Sequence, residues 1–149
     1  MKIYLDNCCY NRPYDDQFQF RIQIETQAKL HIQDLIKNGR LDLVTSYVLD
    51  YENEKNRSVL KKKIIQEFMN SNEAYYLGKE NHSRVDAVAR EIMQTGVKQK
   101  DAWHLACALL ADCDYFITTD DRLLKYKTSD LQIVTPVEFI QRMEVADDV

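Results

Sequence analysis

Residues 100–124, KDAWHLACALLADCDYFITTDDRLL, constrain the fold more than any other stretch of the chain. Ala102, Leu105, Ala106, Leu109, Leu110 and Cys113 recur at the spacing of a helix packed along one side on a core, with Asp101 as its opening residue. Asp112 and Asp114 mark a turn. Tyr115–Thr119 is a short β-rich run, too apolar for a surface strand, and it stops at Asp120-Asp121. A buried helix followed at once by a buried strand belongs to a parallel sheet, whose sites form at the carboxyl ends of the strands. One acid therefore stands at the mouth of the helix and another just past the end of the strand.

Strand and helix patterns alternate through the rest of the chain. Lys2–Leu5 reads as a first strand ended by Asp6-Asn7, and Pro13 argues against a helix through residue 12. A long amphipathic helix spans about residues 17–38, with Phe20, Ile24, Ala28, Ile32, Leu35 and Ile36 on one side and Asn38-Gly39 as its stop. A second strand, Leu41–Thr45, leads to Ser46, which can cap a short helix carrying Val48, Leu49 and Glu52. Asn56 and Ser58 break that helix and open another, with Leu60, Ile64, Ile65 and Phe68 inward. Glu73–Leu77 is a third strand, 82–95 a helix, and Leu131–Val134 a last strand. Pro136 sits in the first turn of a closing helix over Val137–Ile140, and the acidic tail from Glu144 reads as frayed. The alternation predicts an α/β three-layer sandwich: a parallel sheet of about five short strands flanked by helices, in one domain over residues 1–149.

Composition narrows the function classes. A chain of 149 residues can bury roughly 70% of its unfolded surface and needs no staples. No apolar run approaches the ~20 residues of a membrane span, and none precedes the first acid as a signal peptide would require. Cys8, Cys9, Cys107 and Cys113 form no CxxC pattern, so neither a disulfide framework nor a zinc site is expected, and a cytoplasmic location is the default. The net charge of −4 argues against binding nucleic acid by bulk charge. Local patches remain: Lys55, Arg57 and Lys61–Lys63 beside Glu52, and Lys98 and Lys100 beside Asp101.

Four acids occupy equivalent places. Asp6 follows the first strand, Glu52 lies in the helix after the second, Asp101 opens the helix before the fourth strand, and Asp120 follows that strand. In a parallel sheet all four point to one end. At about 5 Å and an effective dielectric near 20, each like-charged pair costs on the order of 3 kcal/mol, so some acids protonate or a cation neutralises them. An all-oxygen set suits a hard dication, Mg²⁺ or Mn²⁺, which serves phosphoester cleavage. Singly, each acid has a plainer reading. Asp101 is a helix cap, Asp120 a turn residue, Glu52 a solvated helix residue, and Asp121 competes with Asp120 for the same role. His104, three residues after Asp101, reads as a packed or edge histidine.

YLDN at the start, SYVLDYENEKN at 46–56, KDAWHLACAL at 100–109 and FITTDDRLL at 116–124 together resemble the PIN-domain family of metal-dependent ribonucleases, which includes VapC-type toxins. The resemblance spans nearly the whole chain in order. It implies that Asp6, Glu52, Asp101 and Asp120 form the family's acidic quartet, with the Thr118 hydroxyl in support. It implies Mg²⁺ or Mn²⁺ and hydrolysis of RNA through a metal-activated water. For a toxin, the partners would include an antitoxin protein and a second copy in a homodimer. Asn7 departs from the Ser or Thr common after the first acid, and the NRPYDD loop at 11–16 is not a general family feature. The rival reading is a non-catalytic nucleic-acid or protein binding module on the same fold. A phosphotransfer aspartate enzyme fits less well, since Cys8 stands where a second acid is needed.

Overall fold

The structure, a computed structural model, describes residues 1–147. Five strands run β1 (Lys2–Leu5), β2 (Asp42–Ser46), β3 (Glu73–Leu77), β4 (Tyr115–Ile117) and β5 (Gln132–Val134). Every neighbouring pair is parallel, in the order β3-β2-β1-β4-β5. The helices are α1 (Asn7–Asn11), α2 (Phe20–Lys37), α3 (Tyr47–Glu54), α4 (Val59–Asn72), α5 (His82–Met93), α6 (Gln99–Leu110) and α7 (Pro136–Asp147). The chain steps from β1 to β2 to β3 in one direction, then crosses back to β4 and β5. Right-handed crossovers therefore put α1–α4 on one face and α5 and α6 on the other. α7 returns to pack on α2. The expected α/β sandwich is the architecture found, and the strand order reverses between β1 and β4, where such sheets open a crevice.

The central strands form because their residues are apolar on both faces. Ile3, Tyr4, Leu5, Leu43, Val44, Phe116 and Ile117 are fully buried, as both faces of a covered parallel sheet require. Tyr4 stacks on Phe116 at 5.4 Å across the β1–β4 pair. The serine caps act as read: Ser46 accepts from Leu49 N and Ser58 from Lys61 N. Gly39 follows α2 at φ 75°, and Asp112 follows α6 at φ 55°, a left-handed position that Asp tolerates.

Several boundaries and faces differ from the pattern reading. Asn7–Asn11 is a short helix begun by Asp6, and Arg12–Tyr14 is a 3-10 turn with Pro13 near its start, so the proline ends one helix type without excluding local coiling. α2 starts at Phe20, and Phe20 is 74% exposed. Residues 20, 24, 28 and 32 repeat every four positions, and over that span a period of 3.6 carries Phe20 about 120° away from Ile32. The buried stripe is instead Glu25, Thr26, Lys29, Ile32, Leu35 and Ile36. In α4 the same geometry leaves Leu60 and Ile64 exposed while Ile65 and Met69 go inward. β4 stops at Ile117, α5 stops at Met93, and α7 continues as helix through Glu144 to Asp147. Residues 148 and 149 of the tail lie outside the described residues.

Lys29 is the costliest member of the α2 stripe. It is 6% exposed, bonds Gln33 Oε1 at 2.8 Å and lies over the rings of Tyr10 and Phe68, with no carboxylate partner among the described residues. Burial, opposed by Cys9 and aided by Lys37, lowers its amine to about 8. An unfolded lysine titrates near 10.4. The folded chain thus binds fewer protons between those values, so this group lowers stability below about pH 8 and the penalty fades as pH rises. Lys29→Met should stabilise the protein by roughly 1–3 kcal/mol at pH 7. The gain should shrink by pH 10 in paired calorimetric melts.

Candidate functional site

The crevice at the strand reversal gathers the acids. Leu5 pairs with Ile117, and the ladder runs one residue further: Asp6 N donates to Ile117 O at 2.9 Å, and Thr118 N to Val134 O at 2.9 Å. Asp6 and Thr118 are thereby held side by side at the carboxyl rim. Thr118 Oγ1 donates to Asp6 Oδ2 at 2.8 Å and accepts from Asp120 N at 3.0 Å. Asp6 Oδ1 accepts from Asn7 N at 2.8 Å as the cap of α1. Asp6 is only 5% exposed. Asp120 Oδ1 accepts from Arg122 N at 2.9 Å and faces Arg122 Nε at 3.5 Å.

Glu52 comes from α3, launched from the end of β2 by Ser46. Its carboxylate bonds His104 Nε2. His104 is fully buried on α6, and its Nδ1 meets the Tyr4 hydroxyl at 2.6 Å, which in turn meets Ser46 Oγ at 2.7 Å. The histidine is packed, as read, but it also fixes one of the four acids, which the sequence did not reveal. Asp101 is the third residue of α6 and not its cap. Lys98 holds the cap position, without a side-chain bond. An acid in the first turn still complements the helix dipole.

Asp6, Glu52, Asp101 and Asp120 all line one cleft of about 330 Å³. Cys8, Asn7, Asn11, Asp15 and Lys100 complete its wall. Cys8 Sγ lies 3.4 Å from both Asp6 Oδ2 and Thr118 Oγ1. Arg21 grips both oxygens of Asp121 at 2.8 and 3.0 Å, and of the two neighbouring acids it is Asp120 that lines the cleft. Arg21 also bonds Thr119 O and approaches Glu25, and buried Glu25 pairs with Arg12 at 3.0 Å. This network ties the start of α2 to the loop after β4. Asp16 accepts from Phe18 N, whereas Asp15 pairs with Arg12 at the edge of the cleft.

Two carboxyls in the cleft are shifted in opposite directions. Burial first, then Asp6 and Asp120, raise Asp101 above the usual carboxylate range, with His104 opposing and Glu52 adding to the rise. Burial also works against ionised Glu52, but the His104 hydrogen bond and charge, with Lys100 and Asn7, hold it below its usual value. Carboxyls driven apart in this way mark acid–base division in a site. The donors are all hard oxygens. Among the described residues, no three Asp, Glu, His or Cys groups stand together as a finished ligand set.

Of the patches proposed from sequence, Lys100 lines this cleft and Lys98 the next one. Lys62 is engaged by Glu54, Lys61 lies over Tyr14, and Lys55 lies over Tyr51. The sequence pattern did not mark Arg122, Lys125 and Lys127, although Lys-Tyr-Lys at 125–127 begins four residues after Asp121. All four cysteines are free. No helix of the described residues is long and apolar enough to cross a membrane.

The fold and site define a parallel-sheet α/β protein with a carboxylate cleft at its topological switch point. No family model matches the chain, and no curated protein matches it. Among solved structures it is similar to a chain of VapBC2 from Rickettsia felis, determined bound to a DNA fragment from their promoter. The match covers 89% of this chain and 97% of that one, with a TM-score of 0.52 and 14% identity. At that identity the likeness is one of fold.

Crowding of this kind costs stability until it is neutralised. A raised Asp101 means that its ionisation opposes folding at neutral pH, and the penalty vanishes as pH falls below the unfolded carboxylate range. Asp101→Asn should therefore raise Tm in metal-free buffer at pH 7 by about 2–4 °C, the response to ~1 kcal/mol in a chain of this size. The difference from wild type should close on acidification. A variant that melts lower than wild type at pH 7 would contradict the crowding.

Proposed function

We propose that the chain is a Mg²⁺- or Mn²⁺-dependent endoribonuclease that hydrolyses RNA phosphodiester bonds, and that it is the toxin of a toxin–antitoxin pair. One observation carries the reading: Asp6, Glu52, Asp101 and Asp120, from four separate segments, line a single cleft at the rim between β1 and β4, with Asp15 at its edge. Phosphodiester hydrolysis needs a water deprotonated near its target and a way to tolerate a polyanion beside acids. Asp6, Glu52, Asp101 and Asp120 are the residues that would hold the ion, and their hard oxygen donors suit one that keeps part of its water. When bound, a dication would neutralise developing charge on the phosphate and make water more acidic.

The side chains divide the remaining work. Asp6 is held through both oxygens, by Asn7 N and the Thr118 hydroxyl, while that hydroxyl fixes the Asp120 backbone and Arg122 N holds Asp120 Oδ1, so both carboxylates keep little rotameric freedom. Glu52 is steadied by His104 through one oxygen. Asp101, the acid with the raised carboxyl, is the readiest to accept the proton of an attacking water. Lys100 in the cleft wall is positioned to attract phosphate. The fold likeness to a VapBC2 chain supports the toxin reading. Under it, an antitoxin protein and a second copy of the chain are the expected protein partners, and the cytoplasm the expected site of action.

Asp6→Asn and Asp101→Asn should each lower Mn²⁺-dependent cleavage of a labelled RNA at least 100-fold with circular dichroism unchanged, and wild type but not Asp101→Asn should gain Tm with Mn²⁺. Full cleavage by both variants would refute the assignment. Failure of wild type to cut RNA in Mn²⁺ or Mg²⁺ would leave a binding module on the same fold. Co-purification of a small partner from the host operon tests the toxin half separately.

A further inference from the structure

Two clefts meet at Asp101. The second, of about 410 Å³, lies between the turn ahead of α6 and the segment 122–127 after β4. It brings together Lys98, Arg122, Lys125 and Lys127, with Tyr126 in its wall, and the shared Asp101 is its one carboxylate. Lys98, Lys125 and Lys127 are exposed and make no ion pair among the described residues. Arg12, Arg21, Lys62, Lys63, Arg90 and Arg142 each engage a carboxylate, and Lys55 and Lys61 lie over tyrosine rings. A chain of net charge −4 thus keeps three unpaired lysines and an arginine around one concave cleft contiguous with its acids. On the other flank, the acid cleft is walled by Asn7, Asn11 and Asp15.

We propose that this basic cleft holds the sugar–phosphate backbone of single-stranded RNA on one side only of the bond that is cut, with a base laid against Tyr126. The proposal deepens the nuclease reading and rests on it. Clustered lysines without counter-charges repel one another, and a polyanion relieves that repulsion while releasing its own counterions. A tyrosine among the cations supplies a face on which an unpaired base can stack, as in other single-strand channels. A duplex keeps its bases stacked in the helix and cannot use that wall. Arg122 sits at the junction: its Nε is 3.5 Å from Asp120 Oδ1, so it can pass from that acid to a phosphate entering the acid cleft. The other flank, two amides and the Arg12-paired Asp15, adds no cation to the cleft lining, and this asymmetry gives the contact its one-sidedness.

The test separates binding from cutting. Affinity for a short fluorescent single-stranded RNA is measured in EDTA across a salt series. The proteins are wild type, the triple Lys98→Gln/Lys125→Gln/Lys127→Gln, the charge-keeping triple to Arg, and a control triple Lys2→Gln/Lys37→Gln/Lys63→Gln. Each lost phosphate contact on a single strand removes ~0.7 from the slope of log affinity against log salt. The Gln triple should lose about 2 from the slope and bind at least tenfold more weakly, while the Arg triple and the control stay near wild type. In Mn²⁺, neutral methylphosphonate linkages placed on either side of the cut should slow cleavage from one side only.

Equal weakening by the control triple, an unchanged slope in the Gln triple, or a symmetric methylphosphonate effect overturns the proposal. So does a wild type that fails to bind single-stranded RNA, or that binds RNA duplex or the matching single-stranded DNA as tightly. RNA bound through the cleft but never cut would keep the track and end the nuclease reading. RNA cut equally well by the Gln triple would do the reverse.

Discussion

The hydrogen bond from Thr118 to Asp6 is the point at which sheet topology becomes chemistry. Parallel strands all end at the same rim, and the order reversal between β1 and β4 leaves no helix crossing over their junction. The ladder bonds that carry Asp6 and Thr118 one residue past their strands bring a carboxylate and a hydroxyl from residues 112 apart to 2.8 Å. Because the same hydroxyl also accepts from Asp120 N, one buried side chain sets two of the four acids. The other two arrive on helices, and each is placed by how its helix begins: Glu52 by the Ser46 cap of α3, Asp101 by the first turn of α6. His104 then joins those helices by meeting Glu52 from α6 and Tyr4 from β1.

The sequence made the strands and the chain positions of the acids legible, for a shared reason. Runs such as Ile3-Tyr4-Leu5 and Tyr115-Phe116-Ile117 are apolar on both faces, and only a covered parallel sheet buries both faces of a strand. An acid that directly follows such a run has to lie at the rim. What stayed hidden depends on angle and on tertiary approach. The four-residue spacing from Phe20 to Ile32 looks like a face but drifts around the helix, whereas the true face contains Glu25 and Lys29, which composition alone would send outward. Asp121 could be told from Asp120 only once Arg21 was seen to hold it, 100 residues away along the chain. No local spacing announces that His104 will reach Glu52.

The cleft is built against stability. In the same cavity, burial and neighbouring carboxylates push Asp101 up, while a histidine and a lysine pull Glu52 down against its burial. One acid therefore holds a proton more readily than its surroundings would suggest, and the other stays ionised further into acid. Such opposed environments side by side are hard to account for as caps and turns, since a cap gains from ionisation and is not crowded by three other acids. Strain of this kind persists in proteins where the surrounding fold over-determines it, here through Thr118, Arg122 and the Arg12–Glu25–Arg21 network.

Net charge misleads for the same structural reason. The formal −4 is an average over a surface on which the charges are sorted. Most arginines are consumed by carboxylates, some in pairs that tie loops to α2 and others within single helices, which removes both partners from the long-range field. Asp6, Glu52, Asp101 and Asp120 converge at the β1–β4 rim, and Lys98, Lys125 and Lys127 gather beside them around a second cleft. Adjacent concave regions of opposite sign set up a steep gradient across Asp101. A linear polyanion can lie along such a gradient in one direction far better than in the other. The sorting of charge, more than its sum, is what makes an acidic chain compatible with a nucleic-acid substrate.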